Sequence, residues 1–135
     1  TFREIKAGGP AVLFKSHNPL YSDGEQMRDF IWVGDCIKVI LWLLENPQIS
    51  GLFNLGTGQA QSFNQLVNAV YLAVGKTPQV QYVETPLAIR EKYQYFTQAD
   101  IGKLRSNGFE SEFKTVEEGV KEYVQSFLGS EDPYR

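Results

Sequence analysis

The stretch Gly24–Asp35, which reads GEQMRDFIWVGD, combines a guanidinium group, a short apolar run and the start of a helix. The apolar run Phe30–Val33 predicts a short strand. Asp35 follows it, and we expect this side chain to cap the next helix, because a carboxylate can accept hydrogen bonds from the free amides of a first turn. The segment therefore predicts a strand, a turn and a helix, with Arg28 just ahead of them.

Arg28 has two interpretations from the residues alone. Its planar guanidinium stays charged and donates two parallel hydrogen bonds, which suits a phosphate held beside a strand. It could equally form a surface ion pair with Asp29 or Asp35, and such pairs are common and weak. Both interpretations stay open at this point.

Composition limits the classes of partner. The 135 residues fit one domain, and the net charge of −3 gives no general attraction for nucleic acid or an anionic membrane. A phosphate site would therefore have to be local. The single cysteine, Cys36, excludes an internal disulfide and is expected to be a small buried residue. No apolar run reaches the roughly 18 residues of a membrane span, and no signal peptide is visible.

The helix after Asp35 has apolar residues at the spacing i, i+3, i+4 and i+7. This spacing predicts a face that packs in the core. The face consists of Ile37, Ile40, Leu41 and Leu44. Three further apolar residues widen it, so we expect burial on more than one side; they are Val39, Trp42 and Leu43.

Toward the N-terminus, Thr1–Ala7 resembles the end of a helix, and Ala11–Phe14 predicts a strand. The loop after this strand contains the only histidine, His17. His17 could bind a phosphate or a hydroxyl, although a solvated loop histidine is the commoner case. No second ligand at suitable spacing supports a metal site, so we expect none.

Toward the C-terminus, Leu52–Leu55 predicts a second strand, followed by the glycine loop Gly56–Gly58. A glycine loop between strand and helix can hold a phosphate, but this one lacks the spacing of the known fingerprints. We therefore favour a simple turn. Ser62–Gln65 is a capping box for a third helix. Gln79–Val83 predicts a further strand.

The segment Tyr93–Phe96 places three aromatic residues directly after Arg90 and Lys92. Aromatic rings beside cations can hold a base or a sugar face, or they can fill the core. A short helix is expected to follow, and Thr115–Glu118 is a second capping box, which begins the last helix. From Gly129 onward the chain is expected to be a polar tail.

The pattern of short strands alternating with helices predicts an α/β fold with three to five strands and three to five helices. The chain shows no repeat and no internal linker. Ser16 lies beside His17, but neighbours in sequence do not have the geometry of a catalytic triad. The residues offer binding groups without a reaction centre. So small a sheet, with a helix fragment at its very start, predicts that residues 1–135 are the smaller lobe of a larger protein.

Several motifs resemble the C-terminal half of extended short-chain dehydrogenase/reductase proteins, a family of epimerases and dehydratases that act on nucleotide sugars. They are RDFIWVGD, FNLGTG, and ADIGKLRSNGF followed by TVEEGVKEYVQSFL. Two others, LFKSH and KYQYFTQAD, resemble the branch that epimerises ADP-heptoses. The resemblance implies the small substrate-binding lobe, a C-terminal domain of residues 1–135, with catalytic residues and cofactor in an N-terminal Rossmann domain outside this chain.

The resemblance also implies an activity and its context. The full-length protein would be an NADP-dependent isomerase of lipopolysaccharide biosynthesis, cytoplasmic and homo-oligomeric, with an ADP-sugar as substrate. This chain alone is expected to be inactive, because it contains no Rossmann fingerprint and no Tyr-x-x-x-Lys pair. The alternatives are the lobe of another nucleotide-sugar 4-epimerase or 4,6-dehydratase, and a non-catalytic ligand-sensing or interaction module.

Matching the family's motifs implies six substrate-binding residues in this chain. The segment after the first strand would contact the substrate, Arg28 would contact its diphosphate, and an aromatic residue would contact it from a second segment. The six are Phe14, Lys15, Ser16, His17, Arg28 and Tyr93.

Overall fold

The computed structural model describes residues 1–130 and confirms an α/β fold with few short strands. In chain order the elements are α1 (Phe2–Ala7), β1 (Ala11–Phe14), β2 (Met27–Arg28), α2 (Val33–Glu45), β3 (Gln61–Ser62), α3 (Phe63–Ala73), β4 (Val80–Val83), α4 (Leu87–Arg90), α5 (Gly102–Ser106), α6 (Val116–Tyr123) and a π-helical turn (Val124–Leu128). The six α-helices of this part exceed the expected range by one. The part of the predicted polar tail that follows Ser130 lies outside the described residues.

The strands form two small sheets. β1 and β4 are parallel, with Ala11 opposite Val80 and Phe14 opposite Val83, and the connection between them contains α2 and α3. β2 and β3 are antiparallel, with Arg28 opposite Gln61. The strands predicted near residues 11–14 and 79–83 are therefore confirmed, because each of the two runs is the hydrogen-bonded partner of the other.

Two predicted strands are wrong. Phe30–Val33 pairs with no strand within residues 1–130. Trp32 packs its ring against Phe127, with 6.2 Å between the ring centroids, and α2 begins at Val33. Leu52–Leu55 has no regular secondary structure and lies outside the two sheets of the described chain. Phe30–Val33 therefore packs through its aromatic side chains instead of pairing with a strand. Leu52–Leu55 has no strand beside it in the described chain.

Asp35 does not cap α2, because the helix begins two residues earlier, with Trp32 in the N-cap position. The Asp35 side chain is fully buried in the first turn. Its carboxylate accepts hydrogen bonds from Lys38 Nζ and from the backbone amide of Lys114, both at 2.7 Å. Asp35 therefore joins α2 to the segment that leads into α6.

The predicted core face of α2 is wrong as well. Its residues are half or more exposed in the described chain, from 51% for Ile37 to 71% for Leu44. The opposite side is the one that packs: Val39 is buried in a cluster with Leu104 and Phe109. Among residues 1–130, the side of α2 that carries Val39 packs in the core. The predicted core face lies on the exposed side of the helix.

A second cluster joins α1, β1 and α3 through Ile5, Ala11, Val67 and Tyr71. The buried Tyr71 hydroxyl accepts from the Ala11 amide at 3.1 Å and donates to the Gln79 carbonyl at 2.6 Å. This phenol therefore forms hydrogen bonds with backbone groups at the starts of both β1 and β4. Its own buried hydroxyl is thereby hydrogen-bonded, as buried polar groups generally are.

Both predicted capping boxes are confirmed. Ser62 Oγ accepts from the Gln65 amide and Thr115 Oγ1 from the Glu118 amide, each at 3.2 Å. The two helices that they begin, α3 and α6, pack against each other. None of the described helices has the length and hydrophobicity of a membrane-spanning segment.

Candidate functional site

The carboxyl ends of β1 and β4 lie at one edge of the parallel sheet. Ligands of α/β proteins commonly bind at such an edge, where the loops after the strands meet. Lys15 follows β1 and Glu84 follows β4, and the Lys15 amide donates to the Val83 carbonyl at 2.8 Å. The predicted segment Phe14–His17 therefore begins at this edge.

Two buried polar side chains hold the end of β1 in place. The Gln26 side-chain amide donates to the Phe14 and Lys15 carbonyls, at 3.3 and 3.4 Å. Thr85 Oγ1 donates to the Lys15 carbonyl at 3.0 Å. Gln26 and Thr85 are 1% and 2% exposed, so these bonds fix the backbone that carries the site.

The loop after β1 is closed by its own polar groups. The Ser16 amide donates to Asp23 Oδ1 at 2.7 Å, and Ser16 Oγ donates to the Asn18 carbonyl at 2.9 Å. The His17 amide donates to the Tyr95 hydroxyl at 2.8 Å. Ser16 therefore shapes the loop, and His17 connects it to the aromatic segment.

Glu84 is the centre of a charge cluster at the same edge. Its carboxylate lies 3.0 Å from Lys15 Nζ, 3.3 Å from His17 Nε2 and 3.3 Å from the Arg90 guanidinium. The hydrogen bond and charge of Lys15, with the charges of His17 and Arg90, lower the pKa of Glu84, and Glu84 raises the pKa of Lys15. Two permanent cations, Lys15 and Arg90, therefore flank the Glu84 carboxylate at this edge, and the charge of Asp23 also reaches Lys15.

The aromatic segment packs on this edge. The Tyr93 ring meets the Phe14 ring edge to face, with centroids 6.4 Å apart, and lies 5.3 Å from the Tyr95 ring. Tyr95 in turn contacts Tyr21 at 5.3 Å. The aromatic residues therefore form a half-buried cluster beside the loop after β1.

Arg28 lies against the same cluster. Its guanidinium carbon is 5.6 Å from the Tyr93 ring centroid and 5.8 Å from that of Phe63. One terminal nitrogen donates to the Met27 carbonyl at 2.7 Å, and the other donates to the Gln94 carbonyl. The structure thus brings all six predicted residues into one connected group, with Tyr93 between Phe14 and Arg28.

The ion pair considered for Arg28 is absent, since no carboxylate pairs with it within residues 1–130. Asp29 instead accepts from the amides of Thr57 and Gly58, at 2.7 and 2.9 Å, and from the Ala99 amide at 3.1 Å. The glycine loop therefore uses its amides on a carboxylate of this chain, in line with the turn interpretation. Although burial opposes it, these hydrogen bonds lower the pKa of Asp29.

Known proteins resemble this chain in sequence and in fold. The sequence profile of the NAD dependent epimerase/dehydratase family matches residues 2–56. The ADP-L-glycero-D-manno-heptose-6-epimerase of Nitratidesulfovibrio vulgaris is 47% identical over 98% of the chain, and that of Fusobacterium nucleatum is 41% identical over 99%. The chain is therefore similar to this family over residues 2–56 and to these two epimerases over nearly its whole length. The resemblance indicated by RDFIWVGD and KYQYFTQAD is thereby confirmed.

One solved structure is similar to this chain in fold. The ADP-L-glycero-D-manno-heptose-6-epimerase of Helicobacter pylori has a TM-score of 0.73 and 26% identity to this chain, covering 93% of it and 37% of the solved chain. The chain spans only 41% and 42% of the length of the two sequence relatives. The similarity therefore concerns one part of an epimerase.

A cavity of about 480 Å³ borders the candidate site. Phe14 and Tyr93 contribute to its wall, together with Phe63, Leu66 and Val67. A larger cavity, of about 750 Å³, is lined by Thr57, Gly58 and other residues and includes none of the six predicted residues. The apolar cavity is thus the one that adjoins the loop after β1 and the aromatic segment.

The residues missed from the sequence are Glu84, Thr85 and Gln26. Their partners are distant in sequence, and only the position of Glu84 directly after a predicted strand could have drawn attention to it. The sequence places Tyr95 in an aromatic run, but nothing in that run indicates its hydrogen bond with the His17 amide. Cys36 is half-buried rather than buried; desolvation, with the charge of Asp35, raises the pKa of its thiol. No cluster within residues 1–130 has the three acidic, His or Cys groups of a metal site.

Proposed function

We propose that this chain is the substrate-binding lobe of an ADP-L-glycero-D-manno-heptose 6-epimerase. The full-length protein would interconvert ADP-D-glycero- and ADP-L-glycero-manno-heptose for lipopolysaccharide core biosynthesis. The observation that carries the proposal is Arg28, which lies at the carboxyl-end edge against Tyr93, without a carboxylate partner in the described chain. The sequence relatives supply the choice of an ADP-heptose.

Each predicted residue has a role that follows from its geometry. Arg28 would bind the diphosphate, because its two carbonyl bonds use only part of its donor set and its charge is not neutralised nearby. Phe14 and Tyr93 would form the wall against the base or the sugar. Lys15 and His17 would bind hydroxyl or phosphate oxygens by releasing Glu84. Ser16 would act through the shape of the loop, since its amide and hydroxyl are already bonded.

The cofactor belongs to another part of the protein. Family members depend on a nicotinamide cofactor, and NADP would supply hydride transfer at C6 of the sugar when bound. The residues described here do not fit that group, because the amides of Thr57 and Gly58 already donate to Asp29. We therefore assign the cofactor to an N-terminal Rossmann domain, and we expect this chain alone to be inactive and the full-length enzyme to be a cytoplasmic homo-oligomer.

Arg28→Ala in the full-length protein tests the proposal. A charge-assisted hydrogen bond contributes about 1.5–3 kcal/mol, so we expect the dissociation constant for ADP-heptose to rise about 10- to 150-fold in titration calorimetry. Arg28→Lys keeps the positive charge but lacks the two parallel donors of a guanidinium. Its affinity for ADP-heptose should therefore lie between those of the Arg28→Ala variant and the natural protein.

Arg105 provides a matched control. Its guanidinium also donates to two carbonyls, those of Phe109 and Ser111, and lies over two rings, at 5.4 and 4.9 Å from their centroids. Arg105→Ala should therefore cost similar stability without weakening ADP-heptose binding. Equal affinity of the Arg28→Ala variant and the natural protein would contradict the proposed role of Arg28.

The choice of sugar nucleotide requires a separate measurement. Turnover of ADP-heptose without turnover of UDP-glucose would support the 6-epimerase, and the reverse would favour a 4-epimerase or a 4,6-dehydratase. Absence of turnover with every sugar nucleotide, combined with tight ADP-sugar binding, would favour a ligand-sensing module.

A further inference from the structure

Tyr95 is attached through its backbone to β2, the strand that carries Arg28. The Met27 amide donates to the Tyr95 carbonyl at 2.8 Å, and the Thr97 amide donates to the Met27 carbonyl at 3.2 Å. Phe96 forms a parallel bridge with Met27 between these two bonds. The backbone of Tyr95 therefore has a fixed place beside the strand that carries Arg28.

The side chain of Tyr95 reaches the loop after β1. Its hydroxyl accepts a hydrogen bond from the His17 amide at 2.8 Å, across 78 positions of sequence. Its ring contacts the rings of Tyr93 and Tyr21, with 5.3 Å between the centroids in each pair. These two ring contacts restrict the direction of the phenol and so define where its hydroxyl meets the loop.

The bond between His17 and Tyr95 is the main external support of this loop. Among residues 1–130, it is the only backbone hydrogen bond that joins residues 16–21 to a segment outside the loop. The bonds of Ser16 to Asp23 and Asn18 lie within the loop. Glu84 holds only side chains, through exposed ion pairs of the kind that contribute little.

We infer that Tyr95 is a positioning residue for substrate binding, which sets the separation between Arg28 and residues 14–17. The inference rests on the proposed function, because that function assigns both parts of the site to the same ligand. A ligand that contacts both parts binds more tightly when their separation is already correct, since the loop then need not be ordered during binding.

Tyr95→Phe in the full-length protein removes the hydroxyl and keeps the ring. Loss of one neutral hydrogen bond corresponds to about a 3- to 10-fold change in an equilibrium constant, so the dissociation constant for ADP-heptose should rise by this factor in titration calorimetry. The turnover number at saturating ADP-heptose should change by less than about 2-fold, because the lost contact supports substrate and transition state alike.

Tyr82→Phe is the matched control. The Tyr82 hydroxyl donates to Asn64 Oδ1 at 3.0 Å, and neither residue is among the six candidates. This variant should lose similar stability and keep a dissociation constant within about 2-fold of the natural value. If both variants lower Tm equally and neither changes the dissociation constant, the Tyr95 bond only stabilises the fold, and the inference is overturned.

A second background separates positioning from direct contact. A Lys15→Ala, His17→Ala protein lacks two side chains through which the positioned loop would act, so adding Tyr95→Phe there should weaken binding by less than about 2-fold. The full loss in that background would mean that the Tyr95 hydroxyl contacts the ligand itself, which would overturn the positioning role.

Hydrogen exchange of the ligand-free, full-length protein tests the loop without any substrate. Tyr95→Phe should speed exchange of the His17 amide by about 5-fold or more, because this amide loses its acceptor, whereas Tyr82→Phe should leave it unchanged. Unchanged exchange in Tyr95→Phe would overturn the inference. Failure of the natural protein to bind ADP-heptose would refute the proposed function, whereas equal binding by the natural protein and Tyr95→Phe would refute the inference alone.

Discussion

Asp29→Asn should destabilise the protein, because one carboxylate ties three segments together. Asp29 Oδ1 accepts from the Thr57 amide at 2.7 Å and from Thr57 Oγ1 at 2.5 Å, while Oδ2 accepts from the Gly58 and Ala99 amides. Asparagine keeps one oxygen, so two donors would face an NH₂ group. Two lost bonds at about 1.5 kcal/mol each lower the free energy of unfolding by about 3 kcal/mol.

Urea unfolding followed by circular dichroism measures this loss at pH 7. Asp100→Asn is the matched control, since among residues 1–130 the exposed Asp100 carboxylate accepts only from the Gly102 amide, at 2.9 Å. We expect the control to lose less than about 0.5 kcal/mol. A loss below about 1 kcal/mol for Asp29→Asn would refute the view that this carboxylate organises the glycine loop.

The same substitution has a defined pH dependence. The folded-state pKa of Asp29 is lowered, so its stabilisation is fully present above the unfolded-state pKa, near 4, and is lost as the pH falls through the folded-state value. The difference in unfolding free energy between the natural protein and Asp29→Asn should therefore shrink below about pH 4. A difference that stays constant down to pH 2 would show that the charge of Asp29 contributes nothing.

Two further stability changes follow from the core and from a helix cap. Leu104→Ala should lower the free energy of unfolding by about 2–5 kcal/mol in urea titrations, because Leu104 is 1% exposed, whereas Leu87→Ala, at 78% exposed, should have little effect. Ser62→Ala should cost about 1 kcal/mol through loss of the cap on α3, measured in the same way, and Ser62→Thr should retain most of that stability; equal stability of the Ala and Thr variants would contradict this account.

Local patterns predicted much of the fold. The apolar run Ala11–Phe14 and the capping boxes at Ser62 and Thr115 were recognisable because their causes lie within a few residues. The runs Phe30–Val33 and Leu52–Leu55 have the same apolar character without a ladder. A strand requires a partner, and no local pattern in those runs shows whether one is present.

The candidate site was predictable only in its parts. Motif similarity identifies Arg28 and Tyr93. The residues by themselves allow two alternatives: a surface ion pair for Arg28 and a place in the core for Tyr93. The tertiary structure excludes an ion pair between Arg28 and Asp29 within the described chain. The Asp29 carboxylate instead accepts hydrogen bonds from the amides of Thr57, Gly58 and Ala99. It also supplies Glu84, which meets Lys15 across 69 positions of sequence. Contacts of that range depend on how β1 and β4 align.

α2 shows which properties of a helix follow from the sequence and which depend on the tertiary structure. The 3.6-residue period determined by itself that the residues after Asp35 form a helix with a wide apolar surface. Which part of that surface meets Leu104 and Phe109, and which part stays exposed, was decided only by the packing of distant segments. The physical reason is that burial is a property of neighbours: helical periodicity places apolar groups on a face, and only the assembled chain determines what that face contacts.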